Sequence, residues 1–270
     1  MPRETGNHGA CPLKMENGRR SIRALLEPLF HAEGIQADCL PAFEINGESY
    51  SMPRFVFRGP NSKDPIRLGI FAAIHGDEPA GALALVRFLL ALAATPSLAE
   101  NYVIRAYPIC NPTGFEDNTR FSRHKRDLNR EFWKASAEVE VRQLEHELRT
   151  LRFNGIIQLH ADDTSDGIYG FVRGATLTEN LLRPALAVAG KVLPCNRNPL
   201  IDGFAAQDGI IYDHYEGVLA APARMEPVPF EIIFETPHLA PIEQQVKAMD
   251  VFLHAILMEY RHLISFAANI

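Results

Sequence analysis

Four short apolar runs recur along the sequence, at residues 68–74, 102–109, 155–159 and 230–234. Each has the length of one strand, and its apolar residues are continuous rather than alternating, which is typical of strands buried on both faces of a sheet. Amphipathic segments separate the runs. This alternation predicts an α/β fold whose mixed, mostly parallel sheet is covered by helices on both faces.

Apolar residues at helical spacing predict five helices. Ser21 is suited to cap the first, and Pro79 to open the second, because a residue in the first turn has no amide partner to lose. Residues 111–114 are a turn signal, and residues 115–132 form a long polar loop of the kind that usually serves function or is disordered. The predicted helices are residues 22–32, 79–94, 135–152, 177–191 and 242–264, and two further short strands are predicted at residues 42–44 and 54–57.

The 270 residues are 47% hydrophobic and 22% charged, which is enough for one large domain with a substantial core. Residues 1–18 lack periodicity and are expected to be a loose tail. A single catalytic domain is expected at residues 19–270. The formal net charge of −6 argues against nucleic-acid binding, which needs a clustered surplus of Lys and Arg.

No apolar segment approaches the roughly 20 residues that span a bilayer, and the polar start of the chain contains no signal-peptide core. The cysteines lie at positions 11, 39, 110 and 195, without metal-ribbon or disulfide spacing. We therefore expect a cytoplasmic protein with reduced thiols that binds neither a membrane nor nucleic acid.

Ionisable residues follow three of the apolar runs. His75, His160 and Glu235 each come directly after a run. In open α/β sheets the ligand crevice lies beyond the carboxyl ends of the strands. The three side chains are therefore expected to converge in one active site.

The stretch that begins at His75 contains a pair of candidate metal ligands. His75 and Glu78 are separated by two residues, so both can face one ion across a tight turn, with Gly76 accommodating unusual backbone angles. A later histidine would complete a two-histidine, one-carboxylate set with an open position, the usual arrangement of catalytic zinc. Glu235 is the candidate for a free carboxylate that takes a proton from water. Taken alone, the short motif also fits a turn histidine beside a surface acid.

The polar loop adds groups that bind carboxylates. Asn129 and Arg130 offer an amide and a guanidinium, whose planar fork pairs with a carboxylate. Arg120 or Arg123 could stabilise the charge that develops on a carbonyl oxygen during attack. A solvated basic patch is the alternative, and the position of the loop between two buried strands argues against it.

Five motifs together resemble the zinc carboxypeptidase superfamily, which also contains the succinylglutamate desuccinylase and aspartoacylase branch. The resemblance covers residues 67–266, and five motifs in the correct order are far more specific than any one of them. The motifs are His75-Gly76-Asp77-Glu78, Asn111-Pro112-Thr113-Gly114, Asp127-Leu128-Asn129-Arg130, Leu159-His160 and Phe234-Glu235-Thr236.

The resemblance implies one zinc ion, held by His75, Glu78 and His160. It implies that Glu235 acts as general base and then as proton donor. These roles belong to a zinc-dependent hydrolase that cleaves an amide bond next to a free carboxylate. The leading expectation is a metallocarboxypeptidase acting on small peptides or modified amino acids. The alternatives are an N-acyl amino acid deacylase of the desuccinylase or aspartoacylase type and a non-catalytic metal-binding module.

Further residues are implied to bind the substrate. Asn129 and Arg130 would grip a carboxylate. Arg120, ahead of Arg123, would polarise the carbonyl that is attacked.

Two more residues are candidates for the substrate pocket. Tyr212 or Tyr215 would supply the tyrosine that carboxypeptidases carry in the loop before the catalytic Glu, although either also fits a packed aromatic. Asp208 occupies the position that the resemblance gives to the floor of a specificity pocket, where a carboxylate would favour a basic terminal side chain. An Asp that caps the turn before Gly209 is the alternative.

Overall fold

The computed structural model describes residues 13–61, 63–172 and 175–267. Within these residues, one large sheet has the strand order β11-β12-β13-β10-β14-β9-β7-β8-β6-β3, and two small hairpins, β1-β2 and β4-β5, lie apart from it. The strands are β1 Met15–Glu16, β2 Arg19–Arg20, β3 Ile35–Cys39, β4 Phe43–Ile45, β5 Glu48–Tyr50, β6 Pro53–Arg58, β7 Ile66–Ala72, β8 Tyr102–Tyr107, β9 Gly155–Asp162, β10 Tyr169–Val172, β11 Leu200–Ile201, β12 Phe204–Gln207, β13 Ile210–Ile211 and β14 Phe230–Pro237.

Parallel pairing is concentrated at the centre of this sheet. Strands β14, β9, β7 and β8 are mutually parallel, and their connections contain helices. On the outer side, β6 pairs antiparallel with β8, and β3 pairs antiparallel with β6. The predicted mixed sheet is confirmed, but its parallel pairs are concentrated at the centre. Beyond β14, strand β10 pairs antiparallel with β14 and parallel with β13, and β12 pairs antiparallel with both β13 and β11.

The helices follow the apolar spacing closely. Helix α2 has the bounds predicted for it, and the Ser21 hydroxyl caps α1 by accepting a hydrogen bond from Ala24 N at 3.2 Å. Helix α4 begins at Val139 rather than 135, because Ala135 has a φ of 54°, a left-handed angle that a helix cannot contain. The helices are α1 Ile22–Phe30, α2 Pro79–Ala94, α3 Pro112–Asp117, α4 Val139–Thr150, α5 Ala175–Leu177, α6 Arg183–Ala189 and α7 Ile242–Ala267, with a π-helical turn, Thr178–Leu182, between α5 and α6.

Two expectations for loops are corrected. Residues 111–114 open helix α3 instead of forming a turn, because Asn111 Oδ1 accepts a hydrogen bond from Gly114 N at 2.9 Å and Pro112 suits a first turn. The expected tail at 1–18 is wrong for its last residues, since β1 and β2 form a hairpin. Residues 1–12 lie outside the described part of the chain.

The sheet carries apolar cores on both faces, as predicted. Leu68 and Ile70 of β7 belong to the larger core, which includes apolar residues of α2, α6 and α7. Phe71 points the other way, stacks on Tyr107 with ring centroids 4.6 Å apart, and shares its core with Leu144 of α4. Alternate residues of one strand therefore serve opposite layers.

Among the described helices, none combines the length and the apolar character that a membrane crossing requires.

Candidate metal centre

The carboxyl ends of the central strands bring three predicted residues together. Glu235 of β14 and His160 of β9 are register partners on neighbouring parallel strands, so their side chains lie on the same face. Strand β7 ends at Ala72, and the loop that follows carries His75 and Glu78 to the same edge of the sheet. The convergence expected at this edge is therefore present in the fold.

Close backbone packing explains the glycine in the His75 loop. A Cβ atom added to Gly76 would lie 1.9 Å from the carbonyl carbon of Gly114, which no side chain tolerates. The loop that carries His75 thus packs directly on the start of α3. The unusual backbone angle that we expected at Gly76 occurs instead at Ala73, whose φ is 46°.

Three buried side chains offer ligand atoms to one point. Glu78 Oε1 lies 2.6 Å from His75 Nδ1, and Glu78 Oε2 lies 3.0 Å from His160 Nδ1. Ligand atoms of all three residues lie within 4.8 Å of one another, and each residue is at most 4% exposed. Two imidazole nitrogens and a carboxylate are the donor set of many catalytic zinc sites. The residues present therefore fit a metal ion of this kind.

A second layer of side chains holds the two histidines. His75 Nε2 lies 3.2 Å from Asp127 Oδ1, and Asp127 Oδ2 accepts hydrogen bonds from Arg120 Nη2 at 2.9 Å and Nε at 3.1 Å. On the other side, Asn129 Nδ2 lies 3.4 Å from His160 Nε2. A carboxylate behind a histidine fixes the orientation of the ring, and the Asp127 contact turns Nδ1 of His75 toward Glu78. Sequence reasoning assigned no role to Asp127, although it belongs to the Asp127–Arg130 motif.

The three residues of this cluster shift one another's pKa. Burial lowers the pKa of His75, but the carboxylates of Glu78 and Asp127 outweigh burial and raise that pKa to about 9. Burial alone would raise the pKa of Glu78, yet the two imidazoles hold it below its ordinary value. For His160 burial dominates, and its pKa is lowered. The carboxylates of Glu78 and Asp127 therefore favour positive charge on His75, whereas burial disfavours it on His160.

Glu235 lies at the wall of the pocket, close to other acids. Burial raises the pKa of Glu235 well above its ordinary value, and the negative charges of Glu78, Asp162 and Asp202 raise it further. Tyr169 is its register partner on β10, and the Tyr169 hydroxyl donates a hydrogen bond to Asp162 Oδ2 at 2.8 Å. Glu235 is thus a carboxylate that readily accepts a proton.

One cavity of about 340 Å³ contains most of the predicted site, and we call it the site pocket. Arg120 reaches into it from the polar loop, with Nη1 3.7 Å from Glu78 Oε1. Arg130 also lines it, with its guanidinium 4.5 Å from the centre of the Tyr215 ring. The predicted residues that line the site pocket are His75, Glu78, Arg120, Asn129, Arg130, His160 and Glu235.

Three predicted substrate-binding residues are not brought to the site pocket. Arg123 is held elsewhere by Asp117 and Glu48, with Arg123 Nε 2.8 Å from Asp117 Oδ2. Tyr212 is 57% exposed outside the pocket. Asp208 is also exposed, in a turn where its φ is 53°, and its Oδ2 lies 3.8 Å from Arg183 Nη1. The turn-capping alternative for Asp208 agrees with this position.

Tyr215 and Asp202 line the site pocket, and the Tyr215 hydroxyl donates a hydrogen bond to Asp202. Tyr215 was one of two tyrosines left open by the sequence. Asp202 carried no signal of its own, because it lies in a hairpin between β11 and β12 that has no apolar periodicity.

Comparison with known proteins agrees with this geometry. Residues 65–194 match the model of the succinylglutamate desuccinylase/aspartoacylase catalytic domain. A proposed metallopeptidase from Shewanella amazonensis SB2B superposes with a TM-score of 0.74 at 21% identity, over 87% of this chain and 91% of its own. The chain therefore shares the fold of this metallopeptidase structure, and its residues 65–194 resemble the desuccinylase/aspartoacylase catalytic domain.

Other solved structures share this fold at lower identity. A metallo-carboxypeptidase from Burkholderia cenocepacia has a TM-score of 0.66 at 17% identity, over 89% of this chain and 68% of its own. A metallo-carboxypeptidase from Pseudomonas aeruginosa, in complex with (2-guanidinoethylmercapto)succinic acid, has a TM-score of 0.58 at 18% identity, over 87% and 67%. No curated protein matches the sequence.

Proposed function

We propose that this protein is a zinc-dependent metallocarboxypeptidase that cleaves an amide bond next to a free carboxylate in peptides or modified amino acids. One observation carries the proposal. A buried His–Glu–His cluster shares a single pocket with a separate carboxylate, Glu235, and with two guanidinium groups, those of Arg120 and Arg130. We take residues 19–270 as the catalytic domain.

The metal would be one zinc ion held by His75, Glu78 and His160. When bound, zinc supplies Lewis-acid chemistry, which makes water more acidic and polarises a carbonyl oxygen. The open side of the cluster faces the site pocket, where Glu235 and Arg120 lie. A catalytic site needs such an open side, whereas a structural zinc site is usually closed by a fourth protein ligand.

Glu235 would move the proton in this reaction. Its carboxylate accepts a proton from the water that attacks the carbonyl carbon, and it then gives that proton to the nitrogen as the C–N bond breaks. Arg120 donates hydrogen bonds to the carbonyl oxygen as negative charge develops there. Arg130 pairs with the free carboxylate of the substrate, with Asn129 beside it. These roles assign one function to each polar group that the sequence predicted in the pocket.

The charges of the site pocket favour a peptide over a polyanion. Asp162, Asp163 and Asp202 line the pocket, and the hydrogen bonds to Asp162 and Asp202 from its lining come from the uncharged hydroxyls of Tyr169 and Tyr215. A substrate with several carboxylates and no positive group would meet repulsion at this wall. The Pseudomonas aeruginosa protein binds a compound that combines a guanidino group with succinic acid. A substrate that carries both a carboxylate and a positive group would match the basic and acidic side chains that line the site pocket.

The second candidate function is an N-acyl amino acid deacylase. The match of residues 65–194 to the desuccinylase/aspartoacylase catalytic domain favours it. Both functions use the same metal ligands and the same general base, so they differ in the substrate and not in the chemistry.

An assay of the purified protein would separate the two functions. We expect hydrolysis of peptides with a free C-terminal carboxylate, loss of activity with a chelator, and recovery with added zinc. Faster hydrolysis of N-succinyl or N-acetyl amino acids would select the deacylase. If neither substrate class is hydrolysed by the zinc-loaded protein, the enzymatic proposal is wrong.

A further inference from the structure

Residues 217–221 form a segment of irregular backbone that we call the strap. It lies within residues 212–229, which connect β13 to β14 and contain neither helix nor strand. Val218 and Leu219 of the strap are nonetheless buried, at 8% and 1% exposure. Buried backbone without regular structure must find its hydrogen-bond partners elsewhere.

Side chains from distant elements supply most of those partners. Leu219 is held on both sides, because Asn129 Oδ1 accepts from Leu219 N at 2.9 Å and Gln158 Nε2 donates to Leu219 O at 2.8 Å. Glu231 Oε1 accepts from Ala221 N at 2.6 Å.

Further contacts hold both ends of the strap. Trp133 Nε1 donates to Ala220 O at 3.0 Å, and Phe132 N donates to Gly217 O at 3.1 Å. The strap is therefore fastened along its whole length, mainly by side chains.

Two of these anchors lie on the same sheet face as the site. Gln158 precedes His160 by two residues on β9, and Glu231 precedes Glu235 by four residues on β14. Alternate residues of a strand share a face. Gln158 is 2% exposed, so a polar side chain has been buried beneath the strap rather than left in water. Such burial is costly without a hydrogen bond, and the bond from Gln158 Nε2 to Leu219 O offsets part of the cost, while Gln158 Oε1 has no hydrogen-bond partner within the described part of the chain.

Two cavities adjoin the strap. The site pocket has a volume of about 340 Å³. A second cavity of about 490 Å³ has Gln158, Glu231 and Trp133 in its lining. Val218 of the strap lines both cavities, together with Tyr215, Phe171 and Ile233. Any displacement of the strap would therefore change the space that is open to a substrate.

The strap also touches a residue that we assign to the substrate carboxylate. A Cβ atom added to Gly217, whose φ is 76°, would lie 2.6 Å from the carbonyl oxygen of Arg130. Tyr215, two residues before Gly217, stacks against the Arg130 guanidinium. The position of the strap is thus linked to the position of Arg130.

We propose that Gln158 and Glu231 are positioning residues that limit the size of the substrate side chain by holding the strap beside the two cavities. This inference rests on the proposed function, because it assigns the size limit to the same site pocket. The inference adds two residues, Gln158 and Glu231, that contact neither the candidate metal ligands nor the bond that is cleaved. They act through Val218, the residue of the strap that lines both cavities.

The test uses variants that remove the anchors without changing side-chain length. Gln158→Met and Glu231→Met lose the hydrogen bonds to the strap, whereas Glu231→Gln keeps an oxygen that accepts from Ala221 N and serves as the matched control. Peptides ending in alanine, leucine or phenylalanine measure the size limit. We expect the Met variants to shift the ratio of kcat/KM for phenylalanine over alanine upward by about tenfold, mainly through KM, with zinc content unchanged.

A second measurement does not depend on activity. Trp133 is the single tryptophan of the chain and donates to the strap, so its fluorescence reports whether the strap is held. We expect acrylamide to quench Trp133 more strongly in both Met variants than in the wild type or in Glu231→Gln.

The outcomes separate the two proposals. Unchanged quenching in the Met variants would show that Gln158 and Glu231 do not hold the strap. Increased quenching with an unchanged phenylalanine-to-alanine ratio would show that the strap does not limit the side chain. Either result overturns the inference. Absence of hydrolysis by the wild type would instead contradict the proposed function. In that case, calorimetry would still measure the ratio of the affinities for free phenylalanine and free alanine, and so the size limit.

Discussion

Glu235 and His160 are directly opposite one another on the adjacent parallel strands β14 and β9. One of them is a candidate base, and the other is a candidate metal ligand. Because register partners on parallel strands keep a fixed spacing, the sheet itself sets the distance between the two functions. The loop that carries His75 and Glu78 then completes the site from the next strand, β7.

The first prediction concerns Glu235. Replacing Glu235 with Gln keeps the shape of the side chain but removes its ability to accept a proton. We expect kcat to fall by about 10²–10⁴-fold, with the zinc content unchanged. Steady-state kinetics and elemental analysis of the same preparation would check this. An active Glu235→Gln variant would show that another residue is the base.

The second prediction concerns the metal ligands. We expect His75→Ala or His160→Ala to abolish stoichiometric zinc binding, because each removes one of three protein ligands. His146→Ala is the matched control, since His146 is exposed on α4 and far from the cluster in sequence. Elemental analysis after dialysis measures the metal. Full zinc content in both ligand variants would mean that the ligand set is wrong.

The third prediction concerns Asp127, which holds His75 from behind. Asp127→Asn removes the negative charge that faces His75 Nε2 and Arg120. We expect the affinity for zinc to fall by about 10–100-fold, as is typical when a carboxylate behind a ligating histidine is lost. Competition with a chromogenic chelator measures the affinity. An unchanged affinity would limit Asp127 to capping the turn at Asn129.

The fourth prediction separates two arginines of the polar loop. Arg130→Ala should raise KM for carboxylate substrates by about 10–100-fold, because a charge-assisted hydrogen bond to the substrate is lost. Arg123→Ala should leave KM unchanged and lower Tm, because Arg123 binds Asp117 and Glu48 and lies over the Tyr50 ring. Kinetics and thermal melting of both variants would check this. The reverse pattern would restore Arg123 as the substrate ligand.

The fifth prediction concerns Glu140, a buried acid at the start of α4. It is 1% exposed, its Oε1 has no hydrogen-bond partner, and burial raises its pKa above the ordinary value. Between the unfolded and folded pKa values, the folded state binds more protons than the unfolded state. Stability from this group is therefore present at low pH and is lost as the pH rises through that window.

Glu140→Gln removes the buried charge. We expect Tm to rise at pH 7, with a smaller difference from the wild type at pH 4, and thermal melting at both pH values measures this. Glu44→Gln, at an exposed position of β4, is the control and should change Tm at neither pH. A lower Tm for Glu140→Gln at pH 7 would contradict the prediction, since it would show that the charge at the helix start is stabilising.

Much of the fold could be predicted from the sequence because its signals are local. The four apolar runs and the cap at Ser21 depend on neighbouring residues alone, and α2 was predicted with its observed bounds. Strands with weaker signals were missed. Strand β10, Tyr169–Val172, is only four residues long, and β3, Ile35–Cys39, is polar and mostly exposed. Such strands form because a neighbouring strand supplies a partner, and no local pattern records that.

The sequence by itself determined which residue types lie at the ends of the central strands. It placed His75, His160 and Glu235 after apolar runs, and parallel strands bring their carboxyl ends to one edge. The sequence also identified a polar loop that is rich in arginine. Their assignments as ligands and base stay predictions, and the structure adds that these side chains share one pocket.

Only the tertiary structure decided which of several similar residues face that pocket. Arg120 enters it and Arg123 does not, because Asp117 and Glu48 bind Arg123 away from it. The strap is the extreme case, since Gln158 and Asn129 bind Leu219 across 61 and 90 residues of sequence. Hydrogen bonds between such distant groups depend on how the chain folds back on itself, and periodicity along the chain carries no record of them.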